Sequence, residues 1–335
     1  MKRLVLFPLI LCVLWSAPAL AGVGMAEAVF KDVKRERTLR THIWYPSDDG
    51  PAARFAENAV FEGIDAVRDG SLRPGTYPLY VLLHGTTGNW RNLSWLAARL
   101  AENGAVVCAA DHPGYTSGNA TPASVLRAWN QALDASFLTG EMLRSRFRGV
   151  IDQSKVFAVG YSLGGYSALA LAGVRLDLRR YIDFCDENQD LSCRYFRPAL
   201  SGLTERDFTA GARNLKDARF TGAVAIAPGF VESCTLKSLK DITIPVLIVG
   251  GGKDQNIPPS THFYPRLPDF PKNIAYREIP DAAHFSFMQI CKPGALEILA
   301  EEDAEFVCMD HGSDRRAIHD RLYRYVVDFL QPKDN

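Results

Sequence analysis

Ser162 stands between two glycines, in Gly160-Tyr161-Ser162-Leu163-Gly164, where one apolar run (KVFAVG) gives way to another (LGGYSALALAG). A serine placed there for packing needs no such crowding by small neighbours. One that projects from a tight strand-to-helix turn does, because larger residues two positions to either side would strike the adjoining strand and helix. The turn also leaves the hydroxyl at the positive end of the following helix. A hydroxyl is a weak nucleophile until a base takes its proton. His284, in REIPDAAHFSF, follows the last strand-like run and is the base this spacing predicts. Asp254, just past PVLIVGGG, is the acid expected to fix its tautomer. Each of the three closes a separate predicted strand, in the order Ser, Asp, His. Acyl transfer also needs N–H donors for the developing oxyanion. Leu163, beside the serine, and Thr86, in LLHGTTGNW, are the predicted donors, with Gly85 the alternative to Thr86 and His84 a hydrogen-bonder beneath that loop.

Other pairings are weaker on position. His112, in DHPGY, also follows a strand but precedes the serine in the chain, and Asp111-His112-Pro113-Gly114 reads as a turn. Asp281 could stand in for Asp254, and Glu232 is a lesser candidate. His42 reads as part of an edge strand, His319 as a solvated residue of the last helix, and His262 and His311 as loop residues. Trp90, Tyr161 and Phe285 adjoin the donor loop, the serine and the base, and are expected to line the substrate pocket. Tyr181, Phe184, Tyr195 and Phe196 are further aromatics available to it.

These side chains need a frame that gathers loop ends. The segments at 77–85, 104–114, 155–160, 222–229 and 245–252 are apolar throughout and end in Gly, Pro, His or Asp, as strands buried on both faces do. Stretches 92–103, 124–138 and 163–173 have helical spacing, and the alternation predicts an α/β fold: a mostly parallel sheet with helices on both faces. Residues 37–46 read as an antiparallel edge strand and 315–330 as a closing amphipathic helix. From about 174 to 220 the chain is charged and aromatic, interrupted by Pro198 and Gly202; this insertion is expected to cap the carboxyl ends of the strands.

Lys2 and Arg3, an apolar core and the APALA ending predict a signal peptide over residues 1–21, with a single domain over 22–335. Export follows, to the periplasm or outside the cell, with no stable membrane insertion once the signal is cut. The 38 basic and 38 acidic residues balance, which leaves no global field for nucleic acid. Cys12 lies in the signal. Of the other cysteines, Cys185 with Cys193 and Cys291 with Cys308 flank short polar segments and are the expected disulfides; Cys108 reads as a buried thiol. No cysteine spacing fits a metal site, and neither metal nor organic cofactor is expected.

The motifs resemble the α/β-hydrolase superfamily across residues 22–335. More narrowly, LRTHIWYP, LLHGTTGN, AADHPGYTSGN, GYSLGGY and PDAAHFSFMQIC resemble exported esterases grouped with dienelactone hydrolases and platelet-activating-factor acetylhydrolases. Dienelactone hydrolases carry cysteine where this elbow has Ser162. Platelet-activating-factor acetylhydrolases place the acid after the preceding strand, where APGFVESC has no aspartate. The resemblance implies a serine hydrolase of small esters or lactones, or of a polyester fragment, acting through an acyl-enzyme on a small-molecule ester. A peptidase or amidase could use the same residues. A silent binding protein on this scaffold would be marked by a replaced Ser, Asp or His, and none is replaced. Oligomeric state has no signature in the sequence.

Overall fold

A computed structural model of the chain describes residues 22–48 and 50–331, so the expected signal peptide and Cys12 lie outside the described residues. In the first part of the chain the strands are β1 (Gly22–Asp32), β2 (Arg37–Ser47), β3 (Ala52–Phe55), β4 (Ile64–Arg68) and β5 (Tyr77–Leu83). Then come β6 (Val106–Asp111), β7 (Ile151–Tyr161), β8 (Gly222–Ile226), β9 (Val246–Gly251) and β10 (Ile274–Ile279). All ten join one sheet, in the order β10-β9-β8-β7-β5-β6-β2-β1-β4-β3. The six from β10 to β6 are parallel to their neighbours, while β2 pairs antiparallel with both β6 and β1.

The helices are α1 (Ser94–Glu102), α2 (Pro122–Val125), α3 (Trp129–Met142), α4 (Leu163–Ala172), α5 (Leu178–Glu187) and α6 (Leu191–Leu200). They continue with α7 (Glu205–Gly211), α8 (Leu236–Lys240), α9 (Pro259–His262), α10 (Ala295–Ala300) and α11 (Arg315–Leu330). Every residue of β5 is buried. Leu79, Val81 and Leu83 enter one apolar cluster with α3 and α4, whereas Tyr80 and Leu82 enter another with α1 and α11. That is why the parallel strands are continuous apolar runs with no alternation. The expected fold class is the one observed. No helix among the described residues is long and apolar enough to cross a membrane.

Three local expectations are corrected. Residues 37–46 are not at an edge, because β1 and β6 flank β2 on its two sides. The helix read over 124–138 is broken into α2 and α3. Pro198 does not interrupt its segment: α6 runs through it to Leu200, since only the last turn is affected. The stretch read as an insertion holds α5, α6 and α7. Both expected disulfides are present, Cys185–Cys193 and Cys291–Cys308, with Cα atoms 5.2 and 6.0 Å apart, and Cys108 is a buried thiol, as is Cys234.

From β5 the chain crosses to β6 on one side, then returns to lay β7 on the other and continues outward through β8, β9 and β10. A crevice opens beyond the carboxyl ends where the winding reverses, between β5 and β7. Ser162 follows β7, and the loop with Thr86 follows β5.

Candidate active site

The serine's turn is built by exclusion. Ser162 has φ 55°, in the left-handed region that a side chain adopts only at a cost of about 1–3 kcal/mol. A methyl group on Gly160 would overlap the carbonyl of Gly164, and one on Gly164 would overlap the carbonyl of Leu83 in β5. Only glycines let β7, the turn and α4 approach this closely. The Ser162 N–H donates to the Ile226 carbonyl at 2.8 Å, and its own carbonyl accepts from Tyr166 and Gly229, so backbone on both sides clamps the turn.

Asp254 and His284 come from the loops after β9 and β10. The His284 Nδ1–H donates to Asp254 Oδ2 at 2.7 Å, which leaves Nε2 to accept from the Ser162 hydroxyl at 3.0 Å. The other Asp254 oxygen accepts the N–H groups of Asn256 and Ile257, both at 2.8 Å. Both Asp254 and His284 are buried, whereas the serine is half-buried. The structure thus brings together the three residues expected to react. It does not bring in the rivals: Asp281 is exposed, Glu232 binds His262, and His112 is fully buried against Asp134 at 3.1 Å.

Beneath the donor loop, His84 Nδ1–H donates to the Gly85 carbonyl at 2.8 Å, and Nε2 accepts the His112 N–H at 3.3 Å. Burial, with His112 alongside, pushes His84 down to about 3, so it stays neutral and keeps these two roles. Gly88 N–H donates to the same Gly85 carbonyl at 3.1 Å. That carbonyl and the Thr86 N–H belong to one peptide unit and point opposite ways. Pinning the oxygen inward therefore turns the Thr86 N–H outward. Among the described residues, neither the Thr86 nor the Leu163 N–H has an acceptor. Gln131 donates to the His84 carbonyl at 2.9 Å, and Ser167 of α4 donates to Gln131 at 2.7 Å, tying the loop to the helix behind the serine. Burial alone would raise the Asp134 carboxyl, but its bonds to His112 and Arg37 hold it below its usual value.

The description "Alpha/beta hydrolase family" matches residues 80–291, most of the chain and all of this geometry. The chain belongs to the alpha/beta hydrolase family. It is similar to a cutinase of Thermobifida alba, 28% identical over 246 residues, which cover 71% of this chain and 64% of the relative. A bis(hydroxyethyl) terephthalate hydrolase of Streptomyces coelicolor is 28% identical over 221 residues, 64% of this chain and 53% of that one. The chain thus spans less than two thirds of the length of these relatives. A solved ferulic acid esterase from Streptomyces cinnamoneus shares the fold, with a TM-score of 0.57 at 17% identity, over 94% of this chain and 90% of that one.

The remaining residues of this hydrolase-family chain sort by what their rings touch. Trp90 is stacked on His42, centroids 3.7 Å apart, under Arg91. His42 is therefore an interior residue, and burial pushes it down to about 4. Tyr161 is buried too, and its hydroxyl donates to the His284 carbonyl at 3.0 Å. Phe285 is half-buried, edge-on to His284 and 5.1 Å from exposed Phe306. Tyr181 and Phe196 pack with Phe230, Phe184 lies edge-on to His262, and Tyr195 is partly exposed. His311, in the loop after Cys308, has positive φ and an exposed side chain.

His319 is not solvated, as its place on the last helix suggested. It stacks on Trp95 at 3.7 Å, and its Nε2–H donates to the Met288 carbonyl at 2.9 Å. This bond is one of a series along the segment after the base. Besides the His284 carbonyl, those of Phe287, Gln289 and Ile290 accept from the Trp95 indole, the Arg315 guanidinium and the Glu62 N–H, at 3.0, 3.0 and 2.8 Å. The strap, one 3-10 turn over His284–Phe287 and irregular beyond it, is held carbonyl by carbonyl. The helical spacing of Arg315, Ile318, His319, Leu322 and Val326 was the available signal, because it puts His319 on the buried stripe.

His262 was missed most completely. It is fully buried, with Glu232 on Nδ1 at 2.8 Å and Asp190 on Nε2 at 2.9 Å. Burial alone would lower it, but the two carboxylates outweigh burial and raise it to about 9.

Proposed function

We propose that the chain is a serine hydrolase of carboxylic esters. The observation that carries this reading is the Asp254–His284–Ser162 series of bonds at a strained turn, beside two N–H groups that have no acceptor among the described residues. Ser162 attacks the ester carbonyl as His284 takes its proton at Nε2, and Asp254 stabilises the imidazolium that forms. The oxyanion sits between the Thr86 and Leu163 N–H groups, an arrangement commonly worth about 3–4 kcal/mol of barrier. His284 returns the proton to the leaving alcohol, then activates water against the acyl-enzyme.

The names of the similar cutinases and of the terephthalate hydrolase support esters, including polyester fragments, over amides. The narrower likeness to dienelactone hydrolases and platelet-activating-factor acetylhydrolases rests on the same motifs; with serine as nucleophile it supports small-ester or lactone chemistry, not the namesake reactions. The 174–220 stretch is read as a cap, supported by the bond that His262, at the end of α9, donates to Asp190 at the start of α6. Export to the periplasm or beyond is supported by the N-terminal 21 residues and the two disulfides.

The test is hydrolysis of p-nitrophenyl esters from acetate to palmitate by the wild type and Ser162→Ala. The wild type should turn over, and the folded variant should lose at least about four orders of magnitude in kcat. Equal activity in both would remove Ser162 from the mechanism.

A further inference from the structure

The turn that carries His284 is closed by a weak backbone bond, from Ser286 N–H to the Ala283 carbonyl at 3.2 Å, and by the Ser286 hydroxyl, which accepts the Ala283 N–H at 3.1 Å. A hydroxyl has one proton to give, and where it points decides which lone pairs remain. Here the proton goes to Asp310 Oδ1, at 2.6 Å, which leaves a lone pair for Ala283. Asp310 is far along the chain, yet its own position is fixed. Arg315, buried, reaches it with Nε at 2.9 Å, and the same guanidinium holds the Gln289 and Val307 carbonyls at 3.0 and 2.8 Å. Two residues before Asp310, Cys308 is bonded to Cys291, at the end of the strap that follows the base.

We propose that Asp310 is a positioning residue for the base: through the Ser286 hydroxyl it sets the turn that carries His284, with Arg315 and the Cys291–Cys308 disulfide holding it there. The proposal rests on the ester-hydrolase reading. Nε2 must meet the serine while Nδ1 keeps Asp254, and both bonds hang on one short turn. With no acceptor at Asp310, the Ser286 proton would turn to a nearby backbone carbonyl and the Ala283 N–H would lose its partner. Displacements of about 1 Å cost on the order of 100-fold in rate when they separate reacting groups.

The experiment compares the intact protein with Ser286→Ala, Asp310→Ala and the double variant. It reads kcat and KM on a soluble p-nitrophenyl ester, the rate of Ser162 phosphonylation by a fluorophosphonate, and the melting temperature. Each single variant should lower kcat and the phosphonylation rate about tenfold or more, with KM within about twofold of wild type. The double variant should be no slower than the slower single, because both remove one link. Single variants that melt earlier but keep wild-type kcat would make Asp310 a purely structural residue and overturn the proposal. Effects that multiply in the double variant would do so too. Should Asp310→Ala fail to fold, Ser286→Ala alone decides, since it leaves the Arg315–Asp310 pair intact. A wild type that neither turns over nor labels would instead take down the ester-hydrolase reading beneath it.

Discussion

Two buried histidines, His284 and His262, each give Nδ1 to a carboxylate, at 2.7 Å from Asp254 and 2.8 Å from Glu232. They differ at Nε2. His284 meets a serine hydroxyl, a group that can release a proton and then carry an acyl group. His262 meets a second carboxylate, Asp190, which has no proton to give. Two flanking anions keep the His262 imidazole charged and tie α6 to the loops after β8 and β9. One anion and one hydroxyl leave the other imidazole free to shuttle. On the proposed reading, what faces the far nitrogen divides a fastening from a reacting base, though both rings are buried.

The largest test of that contrast is to remove each ring. His284→Ala should lower kcat by at least about four orders of magnitude while the melting temperature stays near wild type. His262→Ala should do the reverse. It leaves Glu232 and Asp190 buried without their cation, which is expected to cost about 3–5 kcal/mol in chemical denaturation, while kcat per folded molecule stays near wild type. If His262→Ala abolished turnover in a fully folded protein, the division of labour would be wrong.

A smaller effect is expected from pH. The His262 value in the fold, about 9, is raised above its ordinary 6.5, so its stabilisation is fully present below pH 6.5. It is lost as pH climbs from there through about 9, an effect on the order of 3 kcal/mol. Denaturation midpoints across this range should fall for the wild type and change less for His262→Ala. Parallel curves would remove the charged fastening.

The parallel half of the sheet was legible because burial on both faces leaves an unmistakable run of apolar residues, as in β5 and β9. The glycines around Ser162 were legible for a related reason: each is required by a backbone neighbour, Gly164 by Leu83 and Gly160 by Gly164. The antiparallel side was harder. β3 is short and mostly exposed, and β2 reads as an edge strand because its partner β1 adjoins the apolar N-terminal run. The supports of the base left almost no trace. Trp95 and Phe287 are 192 positions apart, and a side chain that donates to a distant carbonyl imposes no spacing. His262 shows the same limit, since its two partners lie 30 and 72 positions away.

The strap behind His284 has a consequence in time. Ser162 and His284 are 122 positions apart, and two of the groups that pin the strap, Arg315 and His319, sit on α11. A nascent chain that has emerged as far as Met288 already carries Ser162, Asp254 and His284, with Asp254 and Tyr161 as partners of His284, while Arg315 and His319 are still to come. The strap therefore gains the bonds to its Gln289 and Met288 carbonyls only when α11 docks.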